Sequence, residues 1–521
     1  MRRPRKSLAT FPLLLRGAGT LTSMRRTALG LALVTAAAAA LRLVALRFQP
    51  TVTFDGTEYV RFAEALAHGA PFASVFAPGY PLLTAIAHVV VPDRVGAAVA
   101  VSMLAGVALP AIVWAVARGS LGARGALVPA LACALHPELA RHSAITMSES
   151  AYIAALYLAF ALLAGAPSLA GGLVLGLACA IRPEGLVAAA ALAIPAARAA
   201  RDPGQRARIA AAAVGFLLVV LATVAWYRVS LGVWTLTPKS AAFHAAAADW
   251  RAAEPTLAAA PEAAQPIATR VLASVRAWPG NAWSHAVALT WSWPWPLVAL
   301  SLWGLVRRRG IELAGLAYLP LLPFLGLSQQ GRFALSAIPA LAVAASTVFF
   351  VERSRAARAV AGALAAFGVV ACGWALADAF HTPFDGGVLT DRRAGEWLAQ
   401  VAKPGDAVVD RKPFVAFYAR CPHRVLVDAP YDALLDDLVR TGARWLVLEE
   451  YVVHQMRPQL APLLDSAEAR ERESRVEMVY ARADAGQGSL AIFRVLELGR
   501  AKTGAPPVIE LHGFPSQAPG P

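Results

Sequence analysis

Charge is scarce in this chain. Only 16% of its 521 residues are Asp, Glu, Lys or Arg, while 58% are hydrophobic; a soluble globular domain carries about 25% charged residues. That shortage excludes an ordinary soluble enzyme. Cysteine is also sparse: of four, Cys133, Cys179 and Cys372 sit inside apolar runs and Cys421 stands alone in a polar segment. No pair has the spacing of a zinc site and four scattered thiols make no disulfide framework, so they read as small packing residues. A Walker A loop and a Gly-rich turn between strand and helix are both missing, which excludes the common ways of holding a soluble nucleotide. Acidic residues are the scarcer sign, 33 against 48 basic, for a formal charge of +15. The basic residues gather in short loops between apolar runs. That is a positive-inside pattern and argues against a nucleic-acid partner.

What the chain has in excess is long apolar runs, which make it a polytopic α-helical membrane protein. They predict about eleven spans, near 27–46, 94–117, 125–137, 149–165, 167–181, 184–198, 209–231, 284–305, 311–327, 333–351 and 357–378. In this count the basic stretch 1–26 is cytoplasmic, 27–379 is the membrane domain, and 47–93 and 232–283 are outer loops. Strongly basic loops such as "RAARDPGQRAR" and the run Arg307 to Arg309 then share the cytoplasmic side. The stretch "GYPLLTAIAHVVV" is too short to cross and belongs at the interface or in a re-entrant piece. From about 380 short β-rich runs alternate with amphipathic helical patterns, which predicts a small extracytoplasmic α/β domain over 380–497. The Pro- and Gly-rich segment 498–521 reads as a disordered tail.

Carboxylates are few enough that their positions matter. The first outer loop holds "TVTFDGTEYVRFAEALAHG", beginning at Thr51. Asp55 and Glu58 have the spacing of a capping box, and Tyr59, Phe62, Ala63 and Leu66 share one helical face. The segment therefore reads as a short amphipathic helix on the membrane surface, closed by Gly69 and Pro71. A capping carboxylate still has an oxygen to offer a substrate, so the structural and the catalytic reading both stand. Glu149 opens the fourth span in "TMSESAYIAALYLAF". An acid there is either a first-turn residue favoured by the helix dipole or a functional group, since charge at membrane depth is costly. Arg182 and Glu184 in "IRPEG" open the sixth span and can pair with each other. Lys239 and Arg332 are outer-side cations that run against the general charge bias, and each alone also fits a snorkelling role.

Together these residues describe a polar cavity above the bilayer, suited to transfer from a lipid-linked phosphate. One carboxylate takes a proton from an acceptor hydroxyl. The cations stabilise charge growing on the phosphate. A divalent cation is an option if Asp55, Glu58 and Glu149 converge, although their spacing does not demand one. The tryptophans of "AWSHAVALTWSWPWPL" (Trp283, Trp291, Trp293, Trp295) fit an interfacial belt or a sugar platform. Two other classes compete. A transporter or lipid flippase would show inverted repeats and charge near mid-membrane, whereas here the polar residues gather at one boundary. A surface-polysaccharide polymerase or ligase would centre on outer-loop arginines and a histidine.

The order of the motifs resembles the GT-C membrane glycosyltransferases of the family 39 type, related to protein O-mannosyltransferases and lipid A aminoarabinose transferases. The stretches that carry it are "FDGTEYVRFAEALAHG", "FAPGYPLL", "HPELARHSAITMSES", "LGLACAIRPEGL" and "QGRFALSAIPAL", across roughly 25–380. The resemblance implies a GT-C fold in a bacterial inner membrane with the site on the outer face. It makes Asp55 the catalytic residue and Glu149 the second acid. It implies a polyprenyl-phosphate-linked sugar as donor, inversion at the anomeric carbon, and a lipid, glycan or protein acceptor. Glu58, Tyr59, Arg182 and Glu184 become substrate-binding, and Lys239 and Arg332 phosphate-binding. The O-mannosyltransferases carry an adjacent Asp-Glu pair where this chain has Asp55-Gly56, with Glu58 as the nearest substitute.

Overall fold

A computed structural model describes residues 21–49, 52–70, 72, 74, 76–237, 267–307, 310–321, 331–352, 354–381, 388–484, 488–497, 502–503 and 506–512. The first half is helical. It runs α1 (Leu21–Arg47), α2 (Phe54–Ala67), α3 (Gly79–His88), α4 (Arg94–Gly125), α5 (Leu127–Leu135), α6 (Pro137–Ser143), α7 (Glu149–Gly165), α8 (Leu169–Ile181), α9 (Gly185–Ala199) and α10 (Pro203–Leu231). After residues 238–266 follow α11 (Ile267–Ser292), α12 (Trp295–Leu305), α13 (Ile338–Val351) and α14 (Arg355–His381).

Among the described residues, five helices are long and apolar enough to cross a membrane: Met24–Arg47, Arg94–Gly125, Pro203–Leu231, Arg332–Phe350 and Arg355–Ala377. Five shorter apolar helices, including α7, α8 and α9, lie among them. Helices suit this setting because every backbone N–H and C=O finds a partner inside the segment. Leu217, Leu218 and Leu221 of α10 stay exposed, as lipid-facing positions do, while α13 and the first three turns of α7 pack largely into the main core.

Several boundaries differ from the hydropathy reading. The third span, read at about 125–137, is the nine-residue α5, set off from α4 by a break at Gly122 with φ +71°. The outer loop read over 232–283 is helical from Ile267, and α11 runs past the expected start of the eighth span. Pro294, which precedes α12, then breaks that span in two by denying it a backbone donor. The ninth span begins as a 3-10 turn, Ile311–Leu316, and the tenth is entered through another, Gly331–Ala337. The ten-residue α3 is about 15 Å long, half a hydrocarbon core, with Leu82, Ile86, Val89 and Val90 exposed around its far end.

The remaining residues form a small α/β domain: α15 (Val388–Val401), β1 (Val408–Asp410), α16 (Phe414–Ala419), β2 (His423–Val425), α17 (Tyr431–Arg440), β3 (Trp445–Glu449), α18 (Glu450–Met456), β4 (Val476–Asp484), β5 (Gly488–Val495) and β6 (Val508–His512). The sheet order is β2-β1-β3-β5-β4-β6. β1 pairs in parallel with both β2 and β3, β5 runs antiparallel to β3 and β4, and β6 closes the far edge parallel to β4. Helices cover both faces, so the parallel strands read as apolar runs, "VVD" and "WLVLE". β6 is a correction to the expected tail at 498–521. Val508 to His512 register with Tyr480 to Asp484, and Arg482 pairs with Glu510.

Candidate active site

The site is built where α2, α7 and α8 begin or end at one boundary of the membrane core. The start of α2 departs from the local reading. The capping residue is Thr53, whose Oγ1 accepts from the Gly56 N–H at 3.0 Å. Thr53 is itself held by Thr146: its N–H donates to Thr146 Oγ1 at 3.3 Å, and its hydroxyl lies 3.2 Å from the Thr146 carbonyl. Asp55 falls in the first turn of α2, outside the cap, and its carboxylate is free for a distant partner. That partner is Arg332, with Nη1 3.0 Å from Asp55 Oδ2.

Gly56 has a steric cause. A Cβ there would lie 1.9 Å from Thr146 Oγ1, so the thread of Thr53 and Thr146 leaves room for no side chain. Glu58, the expected substitute, forms no hydrogen bond among the described residues. Burial raises its carboxyl above the ordinary range, an effect the Arg61 guanidinium opposes and Asp55 reinforces. Tyr59 lies apart from the pocket. Its ring packs against Phe76 and Tyr80 in the core, and its hydroxyl lies 3.1 Å from Ser148 Oγ. It ties α2 to the residue before Glu149 and does not line the pocket.

Glu149 is the first residue of α7 and is 2% exposed. Its Oε1 accepts from Arg182 Nη1 at 2.7 Å, while its Oε2 has no hydrogen-bond partner among the described residues. Arg182 ends α8 in extended backbone and forks between two acids, with Nη2 2.9 Å from Glu184 Oε1. Its guanidinium also lies over the rings of Phe333 and Tyr152, 5.8 and 6.0 Å from their centroids. This planar fork, stacked and doubly paired, is a geometry that lysine cannot copy. Gly79 sets the height of α3 beside it, because a Cβ would meet the Ala180–Ile181 peptide at 2.6 Å. Arg332 lies over Phe333 at 5.2 Å, and its buried Nε has no partner among the described residues.

A narrow pocket is lined by Glu149, Tyr152, Ile153, Arg182, Glu184, Tyr318, Arg332, Phe333 and Ser336. Of the residues read from sequence, the structure thus brings together Asp55, Glu149, Arg182, Glu184 and Arg332. Lys239 lies outside the described residues. Trp283 and Trp295 are exposed, as a belt requires, whereas Trp293 is buried, donates to Ser301 Oγ at 3.0 Å and stacks on His136. Thr53, Thr146 and Phe333 escaped the sequence reading, because nothing local marks a threonine that serves a partner 93 residues away. Among the described residues no three metal-ligating side chains converge. Asp55 and Glu149 each face a guanidinium.

A core of apolar helices followed by a small α/β domain is an architecture found in solved proteins. Two solved proteins share it. One is ArnT from Cupriavidus metallidurans bound to undecaprenyl phosphate, at 15% identity over 89% of this chain and 97% of that one, with a TM-score of 0.57. The other is the Archaeoglobus fulgidus oligosaccharyltransferase. Its complex with Zn and sulfate matches at 14% identity over 85% of this chain and 72% of that one, with a TM-score of 0.56. The archaeal protein in complex with an inhibitory peptide and a dolichol-phosphate matches at 13% identity over 93% and 76%, with a TM-score of 0.55. No family model and no curated protein matches the sequence. Identity this low establishes the fold and leaves the reaction to the chemistry of the site.

Proposed function

We propose that the chain is an inverting glycosyltransferase that moves a sugar from a polyprenyl-phosphate carrier to an acceptor hydroxyl at the outer face of the inner membrane. The observation that carries this reading is the Asp55–Arg332 pair at 3.0 Å, which sets a carboxylate and a guanidinium side by side. A transfer from a phosphate needs both. Asp55 accepts the acceptor's hydroxyl proton as its oxygen attacks the anomeric carbon. The bond from that carbon to the phosphate oxygen breaks, and the electron pair leaves on the polyprenyl phosphate. Attack opposite the leaving group inverts the centre.

Arg332 suits the phosphate because its fork retains donors beyond the one on Asp55, including the buried Nε. Glu149, held by Arg182, offers its second oxygen to a sugar hydroxyl, and Tyr152 and Phe333 supply apolar wall. The fold's likeness to proteins solved with undecaprenyl phosphate and dolichol-phosphate supports a lipid carrier. The test is a transfer assay in reconstituted vesicles with a synthetic polyprenyl-phosphate sugar, the anomeric configuration of the product read by NMR. Inverted product supports the reading. Retained configuration, or transfer from a nucleotide sugar with no lipid carrier, refutes it.

A further inference from the structure

The α/β domain meets the membrane domain at the entry to α2. The Val52 N–H donates to the Tyr418 hydroxyl oxygen at 2.9 Å, across 366 residues of chain. Val52 is buried, so without Tyr418 that N–H would lose its partner in a site poorly reached by water. Next to it the Phe54 ring meets Phe414 edge-on at 6.0 Å, and Lys412 Nζ lies 5.4 Å from the Phe54 centroid. Tyr418 is itself firmly seated: its Cβ packs where Gly395 of α15 leaves room, 2.6 Å from where a Cβ on that glycine would be. Thus the strap Val52–Thr53 is gripped from both sides, by Tyr418 on one and by Thr146 on the other. Asp55 follows two residues later.

We propose that Tyr418 is a positioning residue for Asp55, and that the α/β domain thereby sets the aim of the catalytic carboxylate. This rests on the reading of Asp55 as the base. A base must stay within hydrogen-bond reach of the proton it removes, and a misplacement of ~1 Å is worth ~100-fold in rate. Releasing the strap at Val52 loosens α2 at the end that bears Asp55, while Arg182, Glu149 and the rest of the pocket keep their own contacts.

The experiment is kinetic and uses the full chain in vesicles. Tyr418→Phe keeps the ring and removes the hydroxyl acceptor; it should lower kcat by about tenfold or more while leaving the donor KM unchanged. In an Asp55→Asn background the same substitution should cause no further loss, because its effect passes through Asp55. Phe414→Leu, which weakens the ring contact without touching the hydrogen bond, should lower kcat in the same sense by less. Tyr480→Phe, in the same domain but remote from α2, should leave kcat unchanged. Wild-type kcat in Tyr418→Phe, or an equal further loss on top of Asp55→Asn, would overturn the role of Tyr418 while leaving Asp55 as the base. Full activity of Asp55→Asn alone would overturn both.

Discussion

Arg332 Nη1 sits 3.0 Å from Asp55 Oδ2, joining the entry to a late apolar helix to the first turn of α2, 277 residues apart. The pair is half-buried and bridges two elements that share no local reason to meet. If Arg332 steadies Asp55 and then holds the leaving phosphate, Arg332→Ala should lower kcat by about 10²–10³, the range seen when one transition-state donor is removed. Arg332→Lys should recover only part of the loss, since a point charge cannot serve carboxylate and phosphate as the fork does. Equal rates for Arg332→Ala and wild type would remove Arg332 from the mechanism.

Thr53 caps α2, whereas Asp55 in its first turn reaches out to Arg332. Thr53→Ala should destabilise the protein by about 0.5–2 kcal/mol, the usual cost of a lost cap, and should affect rate only through α2. Asp55→Asn should leave the unfolding midpoint nearly unchanged. Gly56→Ala should lower both the unfolding midpoint and the rate, because its methyl would be driven into Thr146 Oγ1. Thermal unfolding and initial rates on the same preparations separate these outcomes.

That division also explains what the sequence disclosed. The segment "TVTFDGTE" carries the capping-box spacing at Asp55 and Glu58, whereas the structure caps the helix with Thr53. Local pattern cannot choose between them. The choice is made by Thr146, whose hydroxyl fits under Gly56 and beside Thr53. The acids and arginines of the pocket were legible because charge at a membrane boundary is rare and conspicuous. The partners of Tyr59, which are Phe76, Tyr80 and Ser148, were not legible because they lie 17 or more residues away in the chain. β6 was hidden by the Pro- and Gly-rich residues around it, and its pairing with β4 is a long-range event.

Arg182 holds Glu149 at 2.7 Å and Glu184 at 2.9 Å, with Glu149 almost wholly buried. Breaking such a pair from one side leaves an uncompensated charge and destabilises by about 3–5 kcal/mol. Arg182→Met should therefore lower stability on that scale, and Arg182→Met with Glu149→Gln should regain much of it. If the double variant is no more stable than the single, the two residues do not depend on each other.

Glu58 gives a pH signature. Burial lifts its carboxyl above the ordinary value of 4.5. An acid with a raised folded value binds its proton more tightly folded than unfolded. Its contribution is present below pH 4.5 and is lost as pH rises through the folded value. Glu58→Gln mimics the protonated form and escapes that loss. The variant should gain stability over wild type as the pH is raised from about 4 to about 7. A difference that is constant across this range would contradict the burial effect.

The central claim is that Asp55 is a base and not a cap. It is tested most directly by the rate of sugar transfer from a synthetic polyprenyl-phosphate sugar in Asp55→Asn, with the unfolding midpoint measured on the same vesicles. The expected result is a fall of about 10²–10⁴ in rate, the contribution typical of a positioned base, at an unfolding midpoint close to wild type. Wild-type rate in Asp55→Asn, or a rate that falls only in step with lost folding, would contradict it.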